Sequence, residues 1–215
     1  MAIASVLTSI GIIVVSIIMG FIFFFVISPL PTQVKKKQLE EITSLLINFV
    51  IYIWVGKILL NISTFITDPL AILAYPSDSH AFYLATLFIV LNIGYKYKRH
   101  NLAVLTLLNS FIPVFLAASF VYEFVQIVWN SNTYTWGYLG LVMLLIVVYM
   151  LVYDRITKEK LLGIMLIGWV FGQLMLALFL PFLTVFGYMM APWFLILFFI
   201  TSIGLYIYNN GKQVS

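Results

Sequence analysis

The sequence predicts an all-α, polytopic integral membrane protein with seven transmembrane helices in a single domain, residues 1–215. Three observations carry that prediction. Hydrophobic residues form 64% of the chain and charged residues 8%, about a third of the charged share of a soluble domain. Ten of the eleven Lys and Arg residues gather at four places: Lys35–Lys37, Lys96 to Arg99, Arg155 to Lys160, and Lys212. Between them run apolar stretches of the roughly 20 residues that a helix needs to cross a bilayer core of about 30 Å. A charge at the bilayer centre is costly and a helical backbone satisfies its own hydrogen bonds, so charge collects at the ends of spans.

The expected spans are 3–27, 43–64, 80–95, 102–127, 136–153, 161–182 and 187–208. The first has no Lys or Arg before Lys35 and exceeds the 7–15 apolar residues, roughly, of a signal-peptide core, so it reads as a membrane helix. Pro29 and Pro31 end it, because proline cannot donate the next helical bond. The internal basic clusters fall between spans 1 and 2, 3 and 4, and 5 and 6. The positive-inside bias then places the N-terminus outside and the C-terminus in the cytoplasm. Outer loops at 65–79, 128–135 and 183–186 contain no Lys or Arg. Trp129, Trp136 and Trp193 anchor the outer interface, and Tyr95 and Tyr97 the inner one. Pro113 and Pro181 are expected to kink spans 4 and 6.

These features predict a multi-pass protein of the cell membrane, and the bias towards Ile, Lys, Phe and Tyr suggests an AT-rich bacterial genome. The net charge of +4 flanks membrane spans, so membrane lipids are the expected partners and nucleic acid is not. With no cysteine, there is no disulfide, thiolate nucleophile, Cys-bound zinc or iron–sulfur site. His80 and His100 stand too far apart in sequence to suggest a metal pair, and no cofactor is implied.

Two ionisable residues lie inside spans. Lys57 falls in span 2, below Asn61 and Ser63, and Glu123 lies at similar depth below Trp129 in span 4. Opposite charges at matched depth suggest a pair, or two side chains that each reach for the outer interface. Gln126, Gln173, Asn48, Asn92, Asn109 and Ser110 are further polar candidates, for interhelical hydrogen bonds above all. Tyr75-Pro76-Ser77-Asp78-Ser79-His80 places a histidine beside Asp and Ser, but that run also describes a solvated loop.

In order along the chain, these landmarks resemble those of the bacterial prolipoprotein diacylglyceryl transferase family. Gly56-Lys57 falls where that family has Gly-Arg, and Asp68-Pro69-Leu70 resembles its Asn/Asp-Pro-Leu segment. An ungapped reading puts Tyr83 at the family's histidine, with His80 three positions early. The signature Gly-Arg-x-Gly-Asn-Phe-x-Asn-Gly-Glu is replaced by a stretch containing Ala118-Ser119-Phe120-Val121-Tyr122-Glu123-Phe124. The family's Tyr-Gly-x-x-Arg-x-x-x-Glu becomes Trp169-Val170-Phe171-Gly172-Gln173 followed by Ala177.

Diacylglyceryl transfer needs cations to hold a phosphate headgroup and a base for the thiol. The resemblance therefore implies a relative without catalytic residues, binding a lipid or an envelope protein or lipoprotein. Its candidate ligand-binding residues are Lys57, Glu123, His80, Tyr83, Gln126 and Gln173. The alternatives are a small transporter or channel using Lys57 and Glu123, and a still-active lipid-modifying transferase.

Overall fold

The computed structural model describes residues 2–70, 72, 79–100 and 103–211, with the backbone alone at 2–6, 100 and 202–211. Helix α1 (Ala2–Ile27) stops ahead of Pro29, and Pro31 precedes α2 (Thr32–Leu60). Lys35, Lys36 and Lys37 lie near the start of α2, and Lys35 is in its first turn, where a cation opposes the helix dipole by about 0.3–1 kcal/mol. Lys35 reaches back to the negative end of α1 instead, its Nζ donating to the Phe25 carbonyl at 2.7 Å. A short α3 (Ile62–Thr67) turns part of the expected 65–79 loop into helix. Tyr75, Pro76, Ser77 and Asp78 of that loop, like Lys212, lie outside the described residues.

Next come α4 (Ser79–His100), α5 (Val104–Asn130), α6 (Thr135–Val152) and α7 (Lys158–Leu176). Pro113 is inside α5 as expected. The end of the chain departs from the expected spans 161–182 and 187–208. Helix α7 ends at Leu176, and Pro181 stands in the turn beyond it rather than kinking a span. Strands β1 (Leu183–Val185) and β2 (Tyr188–Met190) then form an antiparallel hairpin before α8 (Pro192–Gly211). Hydropathy cannot separate a buried apolar hairpin from a helix, because both read as a continuous apolar run.

Among the described residues, five helices, α1, α2, α5, α6 and α7, are long and apolar enough to cross a membrane. Their outward faces are apolar: Ile18, Ile22, Val50, Leu144, Val147 and Phe171 are all exposed. Such a surface suits lipid, and the helical architecture is that expected of a multi-pass membrane protein.

Helix α5 is the hub, packing along α1, α6 and α7, with more than half of its apolar window buried (56%). Gly20 lets α1 approach so closely that a methyl there would overlap the Val114 carbonyl oxygen. A second unit pairs α2 with α4, where Gly56 sits against the backbone of Ala81. Asn92 Nδ2 donates to the Tyr52 hydroxyl at 2.7 Å within this pair, and Lys96 meets Glu41 at 3.2 Å. The latter contact places the first two basic clusters at one end of the bundle. The 155–160 cluster joins them there, because Lys158 and Ser28 line a common cavity. Exposed Trp129, Trp136 and Trp193 mark the opposite end.

Candidate functional site

Three pairs of residues at i, i+4 spacing meet in the half of the bundle away from the basic end. They are Ser119 and Glu123 on α5, Tyr138 and Val142 on α6, and Trp169 and Gln173 on α7. That spacing stacks two side chains on one helix face, so each helix presents one pair to the same point. Thr184, Val185 and Phe186 of the hairpin close the site. The enclosed space is about 10 Å³, enough for roughly one water. Glu123, Gln173 and Ser119 are buried, and the Gln173 Oε1 has no protein partner. The described walls hold a carboxyl, a carboxamide and hydroxyls, with no Lys, Arg or His among them. Acceptors facing a cavity without cations suit a proton or a hydrogen-bond donor, not a phosphate.

The hairpin brings non-helical backbone into the membrane domain. Its tip, Phe186-Gly187, joins the paired residues Val185 and Tyr188 as a two-residue turn with φ of 49° and 83°. Two successive positive φ values are those of a type I′ turn, whose twist matches the strands it connects. Glycine is at home there, whereas a bulky residue in the left-handed region is strained by about 1–2 kcal/mol. Packing holds Phe186 in place: its ring meets Tyr122 edge-on at 5.3 Å and Phe115 at 6.0 Å. Counting from Asn130 at 1.5 Å per residue, Tyr122 lies about 12 Å and Phe115 about 22 Å down α5. The hairpin is thus re-entrant, with its tip near mid-helix.

Unpaired backbone at that depth is tolerated only where protein satisfies it. Nearer the outer end, two tyrosines bind the backbone at the feet of the hairpin. Tyr138 donates its hydroxyl to the carbonyl of Phe182 at 2.7 Å, immediately before β1. The amide of Ala191, immediately after β2, donates to the Tyr83 hydroxyl at 2.7 Å. Tyr83 also stacks on Phe194 with ring centres 4.3 Å apart. Its observed place is that of a bracket between α4 and the hairpin.

The six candidates from the sequence are therefore dispersed. Glu123 and Gln173 both line the cavity. Gln126 lies outside the cavity walls, accepting from Asn130 Nδ2 at 2.6 Å. His80 is exposed at the start of α4, its ring 6.2 Å from that of Tyr83. Lys57 is buried in α2, its Nζ 4.7 Å from the centre of the Trp54 ring. Among the described residues there is no ion pair between Lys57 and Glu123, and Lys57 does not line the Glu123 cavity. Matched depth fixes height along the membrane normal but not rotation about each helix, and α2 touches α5 only lightly.

Sequence reasoning missed Ser119, Tyr138, Thr184 and Phe186 as site residues. The i, i+4 pairs are visible in the sequence, but so are many others. Phe-Gly carries none of the Asn-Gly or Asp-Gly signal of a hairpin turn.

Below the Glu123 cavity, the same three helices and the end of α1 line a second one of about 180 Å³ at the basic end, with walls that include Asn109, Ser110, Tyr149 and Lys158. Ile112, Leu116, Leu145 and Met165 pack into one apolar layer between the two.

No family model, curated protein or solved structure matches this chain.

Proposed function

We propose that this chain is a small proton-handling transporter of the bacterial cell membrane, with Glu123 as the proton-carrying group. The carrying observation is the stack along α5, α6 and α7: a carboxyl-bearing cavity, an apolar layer and a larger polar cavity. Ionisable residues facing an interior cavity mark ion and proton routes, and an apolar constriction between wet cavities is how such routes are closed. Room for about one water beside a carboxyl favours a proton over any larger species. In this proposal α4 and α8 cross the bilayer with the five apolar helices, making seven spans. The basic end is cytoplasmic, with the N-terminus outside.

The test is proton flux in proteoliposomes carrying an internal pH dye, driven by a potassium diffusion potential. The intact chain should acidify or alkalinise the lumen according to the imposed polarity, and Glu123→Gln should reduce the rate to that of protein-free liposomes. Flux that survives Glu123→Gln in correctly folded protein would sink the role of this carboxyl.

A second proposal rests on Lys57, buried beside the Gly56–Ala81 contact where the resembling transferases carry Gly-Arg. There the chain is a non-catalytic, lipid-binding relative whose partner is a lipid or an envelope protein or lipoprotein. Binding of phosphatidylglycerol that Lys57→Met leaves unchanged would count against it.

A further inference from the structure

The larger cavity has a chemistry of its own. It lies where the end of α1, the start of α5, the end of α6 and the start of α7 converge. Its walls include the hydroxyl-bearing residues Ser28, Thr106, Ser110, Tyr149 and Tyr153, and Lys158, itself exposed to the outside, completes them. Among the described residues no carboxylate lines it, although the charge of nearby Asp154 is felt at Tyr149 and Tyr153. Asn109 spends its Nδ2 on the Leu105 carbonyl at 2.9 Å, leaving a buried Oδ1 with no protein partner. Lys158 opens α7, whose first turn also carries Glu159 and whose N-cap residue, Thr157, makes no side-chain cap. At about 180 Å³ the space is several times that of one water and smaller than a drug-sized pocket.

One cation, several hydroxyl donors and a single orphaned acceptor match a phosphate ester that also bears a hydroxyl. We infer that this cavity binds a glycerophosphate group, presented either as the headgroup end of an anionic phospholipid or as a free phosphate ester. Lys158 and the tyrosine hydroxyls hold the phosphate oxygens, and Asn109 Oδ1 accepts from the hydroxyl. The site stands independently of proton transfer at Glu123, so either can fail without the other.

The experiment uses the full chain in phosphatidylcholine nanodiscs, with two probes: lysophosphatidic acid added to the bilayer and glycerol 3-phosphate added to the buffer. Binding is read by native mass spectrometry and by thermal stabilisation. Lys158→Gln should weaken the bound probe about fivefold, the weight of one phosphate-facing lysine. Thr106→Leu, filling the cavity from a half-buried position, should weaken binding with Lys158 still in place. Lys36→Gln, at the same end but outside the cavity walls, should leave it unchanged. Binding of the lipid alone identifies a headgroup site, and binding of glycerol 3-phosphate identifies a site open to the free ester. Equal losses for Lys36→Gln and Lys158→Gln would overturn the inference in favour of general surface attraction. So would no binding of either probe, or full binding by well-folded Thr106→Leu.

Discussion

Substitutions at Phe186 test whether the re-entrant hairpin is docked and how its tip is held. The native residue sits at φ 49°, which costs a non-glycine residue about 1–2 kcal/mol. Against that stand two edge-on ring contacts, at 5.3 Å and 6.0 Å, each contributing about 0.5–1.5 kcal/mol. Phe186→Ala loses both contacts and keeps the strain, so it should destabilise by about 1–3 kcal/mol, with any cavity left behind adding to this. Phe186→Gly loses the same contacts but relieves the strain, so it should be more stable than the alanine variant by about 1 kcal/mol. The expected order is Phe, then Gly, then Ala, which inverts the usual preference for alanine over glycine. The assay is reversible SDS unfolding in mixed micelles, followed by tryptophan fluorescence, since Trp169 lies 5.5 Å from Phe115. An alanine variant as stable as the glycine one would refute a left-handed backbone at this position. If all three were equally stable, the tip would not be packed against α5 at all.

Other substitutions probe the surrounding framework. Tyr83→Phe and Tyr138→Phe each remove one hydrogen bond from a foot of the hairpin, and each should lower stability by about 1–3 kcal/mol because a buried backbone group loses its partner. Proteolysis at residues 183–190 should accelerate in both, and unchanged cleavage would argue against bracketing. Gln173→Leu removes an orphaned buried oxygen, so it should leave stability within about 1 kcal/mol or raise it; a loss of about 3 kcal/mol would mean the oxygen is satisfied. Gly20→Leu should separate α1 from α5 and lower stability by about 2 kcal/mol or more, measured by the same unfolding assay, whereas Gly11→Leu on the open face should be tolerated. Glu41→Gln breaks a partly exposed pair and should cost under about 1 kcal/mol by that assay.

The candidate site was half legible. Glu123 and Gln173 stand out in the sequence as polar residues within apolar runs, and the structure brings them to one cavity. Lys57 stands out equally but lies on a different helix pair, beside Trp54. Tyr83 drew notice through its alignment with a family histidine, yet its hydroxyl receives the backbone amide of Ala191. Tyr138 and Phe186 gave no signal, because an aromatic in an apolar run looks like any other lipid-facing or packed residue.

What the sequence determined by itself is what the bilayer dictates locally. Excluding charge from the hydrocarbon fixes where the clusters at Lys35, Lys96 and Arg155 must fall, and the demand for backbone hydrogen bonds makes the runs between them helical. Those constraints act residue by residue and leave a readable pattern. Only the tertiary structure decided that residues 183–190 fold back as a hairpin, that Glu123 shares a cavity with Gln173 rather than with Lys57, and that α5, α6 and α7 contribute to two cavities. The physical reason is that lipid is as apolar as a protein core. Hydropathy therefore cannot tell which face of a helix is buried, and the choice falls to close packing around Gly20 and Gly56 and to the few hydrogen bonds that polar side chains can find.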